Sequence, residues 1–184
     1  MRAAALLSLV LFLASTSHAQ GASSSKAEIK HGRSKVVLTY AARLEGDVLV
    51  VEAAHAPEWH SYAMDNVIRA QKKSGKEKPE SELPTRIAVS GGLALAGPWY
   101  QTEPKDLSQL DIQWYTWGFE EKATFAAKVE RGEGNGAVIT INGQACNASS
   151  CAMIDETVLT LALGEGALIS SGFDLSMLAE VMAN

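Results

Sequence analysis

The amino-acid sequence predicts an all-β protein that folds as an antiparallel sandwich, and two observations lead to this fold class. Seven or eight short segments rich in Val, Leu, Ile and Thr alternate apolar and polar residues, which is the period of a half-buried strand. Turn signals rich in Gly, Asn and Asp separate these segments at nearly regular spacing. No internal repeat or internal domain boundary is evident, so residues 35–184 are predicted to form a single domain.

The N-terminal region has the features of an export signal. Arg2 is followed by an apolar run over 3–14 and by a small-x-small site that ends at Ala19. This pattern is typical of a secretory signal peptide, and the run is shorter than the roughly 20 apolar residues that a membrane span needs. We therefore expect residues 1–19 to be a signal peptide cleaved after Ala19. The small and polar residues 20–34 are expected to form a flexible leader.

The charge balance argues against several classes of partner. The chain has 21 acidic and 16 basic residues and a net charge of −5, and the predicted signal peptide contains only one of these charges, Arg2. Nothing in the sequence forms a basic stripe that could bind nucleic acid or an anionic lipid surface. No later stretch is long and apolar enough to span a bilayer. We expect no nucleic-acid partner and no membrane insertion of the mature chain.

The strands follow from the pattern in chain order. The segments 35–44 and 47–55 flank Glu45-Gly46-Asp47, which predicts a hairpin. A further strand is predicted over 85–91, and the aromatic segment 111–119 precedes the remaining strands. Those are predicted by period-two alternation over 122–130, 136–146 and 156–163.

Two short helices and two loops complete the predicted elements. One helix begins at Asp65 as its N-cap, and a second, C-terminal helix is expected over 173–184, where apolar residues recur at helical intervals after Asp174. The mixed-charge run over 72–82 is expected to be a solvated surface. The segment 97–111 contains two Pro and is predicted to be a loop.

The two cysteines are separated by four residues and lie between the last two predicted strands. Cys146 ends one strand and Cys151 precedes the next, with Asn147-Ala148-Ser149-Ser150 between them. A four-residue hairpin connection can place its flanking residues opposite each other, within reach of a disulfide. An exported chain permits such a bond.

The spacing of Cys146 and Cys151 leaves two interpretations open, a structural disulfide and a redox-active pair. A bond that closes about six residues removes little unfolded-state entropy, roughly 2 kcal/mol, against about 4.7 kcal/mol for a 100-residue loop. This weakens the structural interpretation without excluding it. Two thiolates fill only half of a zinc shell and no His is near in sequence, which argues against a metal site.

Three stretches of the sequence together match the motifs of a known family. They are Gly-Gln-Ala-Cys-Asn over 143–147 followed by Cys151, Ala-Pro-Glu-Trp-His-Ser-Tyr over 56–62, and Leu-Pro-Thr-Arg-Ile over 83–87. On these residues the chain resembles, over about 33–163, the N-terminal periplasmic domain of the thiol:disulfide interchange protein DsbD, also called the disulfide bond corrector family. The first stretch is similar to that family's cysteine motif, the second to its Pro-Gly-Trp-His-x-Tyr turn and the third to its Pro-Thr-x-Ile strand start. The family's Pro pair after the second cysteine is missing here.

The resemblance implies an immunoglobulin-like sandwich whose Cys146 and Cys151 cycle between dithiol and disulfide, with Cys151 meeting the partner. It implies no cofactor and no metal. The expected electron donor is a membrane-embedded thiol reductant, here a separate protein, and the expected partners are periplasmic thioredoxin-fold proteins. If the chain is an enzyme, it would act as a protein-disulfide reductase. No Lys or Arg lies within four residues of either cysteine, so no nearby cation in sequence lowers a thiol pKa.

Aromatic and histidine residues supply two further candidate sites. In the resembling family the region around Tyr115 and Trp117 forms a cap that shields the disulfide, and the alternative is that these aromatics are core residues. His55, Glu58 and His60 have a spacing that invites a metal site. Because Pro57 resists a helix, a turn leading into a strand is the preferred interpretation of this segment.

Three functions therefore remain as hypotheses from the sequence. The first is a periplasmic thiol–disulfide interchange module of the kind used in electron transfer and cytochrome c biogenesis. The second is a secreted immunoglobulin-like binding or structural module whose hairpin disulfide is purely structural. The third is a thiol-dependent assembly factor for a cytochrome or a copper site. A reversible disulfide that a partner can reach separates the first from the second.

Overall fold

The structure, a computed structural model, describes residues 23–24, 26–164, 168 and 173–183. The predicted signal peptide over 1–19 lies outside these residues. In the described part of the chain, no helix combines the length and the apolar character needed to cross a membrane.

The described residues form twelve strands and one α-helix, α1 (Asn66–Ser74). The strands in chain order are β1 (Ala27–His31), β2 (Lys35–Glu45), β3 (Val48–His55), β4 (His60–Tyr62), β5 (Arg86–Gly91), β6 (Leu93–Gln101), β7 (Lys105–Asp106), β8 (Trp117–Glu120), β9 (Lys122–Arg131), β10 (Gly136–Cys146), β11 (Cys151–Ala162) and β12 (Ala179–Glu180).

Two antiparallel sheets enclose one hydrophobic core. The first sheet has the order β1-β2-β3-β9-β6-β12, and the second has the order β11-β10-β4-β8-β7 with β5 paired to β10. Buried side chains from both sheets form one cluster. Its largest fully buried members include Tyr40, Leu49, Trp59, Phe125, Ile139 and Leu159. The predicted antiparallel sandwich is confirmed.

Most predicted strands are present where alternation placed them. β2 and β3 form the predicted hairpin, and Gly46 adopts a φ of 60° at its turn, a conformation that glycine reaches without the steric cost of a Cβ. The α-helix predicted to begin at Asp65 is also present as α1. The Asp65 side chain does not cap it by a hydrogen bond.

The leader predicted over 20–34 instead contains strand β1. Ile29 lies opposite Leu38 of β2, and both side chains are buried. A single large apolar residue, Ile29, within AEIKH gives too weak a pattern to predict a strand from sequence. The hydrogen-bonding edge of β2 and the burial of Ile29 nevertheless hold this segment in the sheet.

Part of the loop predicted over 97–111 belongs to β6. The strand pairs with β9 on both sides of a break in register between Leu95 and Trp99. Pro98 lies within this break, where its missing N–H removes no ladder hydrogen bond. The two prolines of this segment led to the prediction of a loop, although β6 accommodates Pro98 at its break in register.

The α-helix predicted over 173–184 is replaced by a single 3-10 turn, Leu175–Met177, followed by β12. Asp174 does cap this turn, because its side chain accepts a hydrogen bond from the Ser176 N–H at 2.9 Å. The physical reason for the change is the free edge of β6, with which Ala179–Glu180 forms ladder pairs. Apolar residues of the segment, including Leu175 and Leu178, pack on a second, smaller buried cluster, which is formed by Val48, Val50 and Ala126.

Candidate functional site

Cys146 and Cys151 form a disulfide at the end of the β10–β11 hairpin. They are directly opposed across the two strands, with their Cα atoms 4.0 Å apart and their sulfur atoms bonded at 2.04 Å. The opposed placement predicted from the four-residue connection is thereby confirmed.

The four-residue loop is closed by Asn147 independently of the disulfide. The Asn147 Oδ1 atom accepts hydrogen bonds from the backbone N–H groups of Ser149 and Ser150, both at 2.9 Å. The two serine hydroxyls also donate to this oxygen at 3.2 Å. The backbone N–H of Asn147 donates to the Ser150 carbonyl at 2.9 Å. An asparagine side chain thus supplies the geometry that the loop requires.

The two cysteines differ in their access to solvent. Cys146 is only 3% exposed, whereas Cys151 is an exposed residue. An incoming thiol or disulfide can therefore reach Cys151 far more readily than Cys146. This asymmetry is the arrangement that an exchange reaction needs, in which one sulfur meets the partner and the other completes the reaction.

A row of four opposed residues crosses the second sheet at this level. Glu120 of β8 lies opposite His60 of β4, and His60 lies opposite Cys146, which in turn lies opposite Cys151. Because directly opposed residues project from the same face of a sheet, all four side chains share one surface. They line a cleft of about 600 Å³.

His60 contributes a neutral imidazole to this row. Its Nε2 atom is 3.0 Å from the Tyr62 hydroxyl, and the two rings meet edge to face with centroids 5.3 Å apart. Burial lowers the pKa of His60, while the carboxylate of Glu120 opposes part of that change. Burial likewise raises the pKa of the Tyr62 hydroxyl. Both groups are consequently uncharged near neutral pH.

Glu82 is a site residue that the sequence did not reveal. Its carboxylate lies within 4.8 Å of both cysteine sulfurs and accepts a hydrogen bond from the Gln144 amide. The sequence placed Glu82 at the end of a solvated charge run, but it is only partly exposed. Burial raises the pKa of Glu82, and the hydrogen bond from Gln144 opposes that rise.

The aromatic segment 111–119 lines part of the cleft, but not through Tyr115 and Trp117, the two residues predicted to shield the disulfide. Ile112 and Trp114 line the cleft with the cysteines, whereas Tyr115 and Trp117 are not among its lining residues. The Tyr115 N–H donates to the Glu80 carbonyl at 3.3 Å. The Trp117 ring packs against the core. The shielding role of Tyr115 and Trp117 stays a prediction.

The segment around His55, Glu58 and His60 forms the predicted turn. Glu58 has a φ of 70°, and the His55 Nε2 atom is 2.8 Å from the Ser61 hydroxyl. Burial lowers the pKa of His55 to about 4. In the described residues, the cluster of side chains that could hold a metal is instead Glu82 with the two cysteines.

Comparison with known proteins finds likeness in three-dimensional structure. No protein-family model and no curated protein matches the chain. The N-terminal periplasmic domain of ScsB from Proteus mirabilis superposes with a TM-score of 0.51 at 13% identity, over 78% of this chain and 53% of that one. The fold is that of the ScsB domain. The chain spans about half the length of that ScsB structure.

The second neighbour is the N-terminal domain of DsbD from Neisseria meningitidis in its reduced form. It aligns with a TM-score of 0.43 at 11% identity, over 69% of this chain and 86% of that one. The likeness of fold rests on the ScsB domain, whose TM-score is 0.51 at 13% identity. It confirms the fold resemblance predicted from the sequence, and the two antiparallel sheets agree with the predicted immunoglobulin-like sandwich.

Proposed function

We propose that the protein is a thiol–disulfide interchange module in which Cys146 and Cys151 alternate between dithiol and disulfide. The observation that carries this proposal is the asymmetry of the pair: an exposed Cys151 bonded to a buried Cys146 beside a cleft. The hydrogen bonds of Asn147 already close the loop, so the disulfide adds little to the hairpin. The chain-entropy gain from closing about six residues is only about 2 kcal/mol.

The reaction proceeds through a mixed disulfide. In the reduced protein, the Cys151 thiolate attacks one sulfur of a partner disulfide, and the partner's other sulfur leaves as a thiolate that takes up a proton. The Cys146 thiolate then attacks the Cys151 sulfur and releases the partner's second thiolate. Two electrons and two protons pass to the partner, and the Cys146–Cys151 disulfide is restored.

The electrostatics of the cleft disfavour the thiolate form of the reduced pair. Glu82 lies within 4.8 Å of both sulfurs, and Glu58 and Glu120 also line the cleft. Among its described lining residues there is no Lys or Arg. Nearby carboxylates disfavour thiolates, so the reduced pair is expected to be mostly protonated at neutral pH.

The cellular setting follows from the same proposal. The signal-like N-terminal sequence and the periplasmic domain that shares the fold support export to the periplasm. There the module would receive electrons from a membrane-embedded thiol reductant and pass them to thioredoxin-fold proteins. Such a relay would serve pathways of the kind that reduce a disulfide of apo-cytochrome c to two thiols.

The deciding experiment is the reduction potential of the Cys146–Cys151 pair. We would equilibrate the protein in glutathione redox buffers, alkylate the free thiols and measure the oxidised fraction by mass spectrometry. A potential between roughly −180 and −270 mV would match exchange proteins, whereas a value below about −300 mV would mark a structural disulfide and overturn the proposal.

Single-cysteine variants test the assigned roles. Cys146→Ser leaves the exposed Cys151 and should accumulate mixed disulfides with oxidised thioredoxin-fold proteins. Cys151→Ser leaves the 3%-exposed Cys146 and serves as the matched control, which should trap far less. Equal trapping by both variants would remove the assignment of Cys151 as the attacking residue.

A further inference from the structure

We propose that the reduced Cys146–Cys151 pair and Glu82 form a binding site for a thiophilic divalent cation, for which Zn²⁺ is the test ion. The carboxylate oxygen of Glu82 and the two sulfurs all lie within 4.8 Å of one another. From the sequence alone a metal site was not expected, because two thiolates supply only half of the four ligands of a zinc ion. The fold supplies a third ligand from a loop distant in sequence.

The dimensions of the cluster suit a tetrahedral ion. Zn–S bonds of about 2.3 Å place two thiolates about 3.8 Å apart, and Zn–O bonds are about 2.0–2.2 Å. The Cα atoms of Cys146 and Cys151 are 4.0 Å apart in the disulfide. After reduction, a change of side-chain rotamer is therefore enough to bring the two sulfurs to the separation of about 3.8 Å that Zn²⁺ requires, without movement of the backbone. Three protein ligands and one water from the cleft complete the coordination that open zinc sites use.

The Glu82 ligand is held in place by two buried amides. The Gln144 side chain, 7% exposed, donates to the Glu82 carboxylate. The Asn66 side chain, fully buried, donates at 2.8 Å to the Glu82 backbone carbonyl. Outer partners of this kind orient metal ligands, and their loss typically weakens metal binding by about 10- to 100-fold. An ordinary surface glutamate has no such support.

Metal binding at this site depends on the redox state. Two electrons and two protons from a dithiol reductant convert the disulfide to two thiols, and binding of Zn²⁺ then releases those two protons as the thiolates form. The disulfide offers no thiolate, so oxidation expels the ion. The cation thus stabilises the reduced pair and blocks its attack on partners until the ion leaves.

The test measures Zn²⁺ affinity of the mature chain, reduced with a phosphine, by competition with a chromophoric chelator. We expect one Zn²⁺ per reduced chain and none for the oxidised chain. Co²⁺ in place of Zn²⁺ should give the near-ultraviolet charge-transfer bands of thiolate ligation and the visible bands of a tetrahedral site. Reduced protein that binds no more tightly than a Cys146→Ser/Cys151→Ser double variant would overturn the proposal.

A matched pair of variants tests the third ligand. Glu82→Gln keeps the shape and a hydrogen-bond partner for Gln144 but should weaken Zn²⁺ binding at least about tenfold. Glu80→Gln, which changes an exposed residue two positions earlier, should leave the affinity unchanged. Thermal unfolding of the oxidised variants checks their folding. Equal affinity of Glu82→Gln and wild type would overturn the role of Glu82. Because metal affinity is measured without any exchange partner, its outcome is separate from that of the redox proposal.

Discussion

The β2–β3 and β10–β11 hairpins are both long antiparallel pairs, yet they close differently. The first turns at Gly46, and no covalent bond links its strands. The second closes through a loop that Asn147 organises and then carries a disulfide beside that loop. Since β2–β3 forms without a cross-link, hairpin closure in this fold does not require one. The contrast supports a chemical rather than a structural role for Cys146 and Cys151.

The largest effect is expected from removing both sulfurs. Cys146→Ala/Cys151→Ala should abolish disulfide exchange with an oxidised thioredoxin-fold substrate. The same change should lower the free energy of unfolding by no more than about 2 kcal/mol in urea titrations. A loss above about 4 kcal/mol, together with a wild-type protein that is inert in exchange, would support the structural interpretation.

The next largest effect is expected when the pH is lowered, because the free energy of unfolding then changes through His55 at the end of β3. Burial depresses the pKa of His55 from 6.5 to about 4, so the unfolded chain binds more protons at this residue between those values. Stability is therefore present above about pH 6.5 and is lost as the pH falls towards 4. The loss should reach at most about 2 kcal/mol by about pH 5, because partial exposure of His55 weakens the effect.

His55→Gln checks this pH dependence because the amide retains a hydrogen-bond partner for Ser61 without a titrating group. Urea titrations at about pH 7.5 and about pH 5 should show a smaller loss of stability in the variant than in the wild type. An identical loss in both proteins would assign the acid sensitivity to other residues.

A smaller effect is expected at the turn that closes the first hairpin. Gly46→Ala places a Cβ at a φ of 60°, which costs about 1–2 kcal/mol. This value is close to the stabilisation expected from the disulfide in the second hairpin. If thermal and urea unfolding show Gly46→Ala to be neutral, turn geometry is not what holds β2 and β3 in register.

The smallest effect is expected at Asn147. Asn147→Ala removes the acceptor for the Ser149 and Ser150 N–H groups, and should cost about 1 kcal/mol because both donors remain within reach of water. The looser loop should also slow reoxidation of the reduced Cys146–Cys151 pair. The rate is measured by alkylating the remaining free thiols at successive times. Asn147→Ser, which keeps a side-chain acceptor oxygen without adding a charge beside the cysteines, is the control and should reoxidise at a rate closer to that of the wild type than Asn147→Ala does.

The cysteine pair was predictable because its geometry is local. Strand alternation on both sides and a connection of four residues are enough to oppose Cys146 and Cys151. Glu82 was not predictable, because its place in the site depends on a hydrogen bond to Gln144, 62 residues away in sequence. It ends a run of mostly charged and polar residues over 72–82, so nothing in the local pattern separates it from a surface residue.

The fold shows the same division between local and distant causes. The β2–β3 hairpin follows from alternation and a turn signal that adjoin in the chain. The C-terminal segment has helical spacing, but the open edge of β6 offers ladder hydrogen bonds that the local pattern does not contain. Tertiary pairing overrode the helical pattern there. In β1, pairing with β2 ordered a segment whose local pattern predicted a flexible leader.

Asp65 links distant parts of the chain, and this has a consequence for the order in which the protein can mature. Its buried carboxylate accepts hydrogen bonds from the Arg69 and Gln101 side chains at 2.9 and 2.7 Å, and from the Met182 backbone N–H at 3.2 Å. A chain synthesised from its N-terminus delivers Met182 long after Asp65. Until the Met182 N–H is available, the Oδ2 atom of Asp65 lacks that hydrogen bond. Native burial around α1 is therefore completed only after the C-terminal segment has been made.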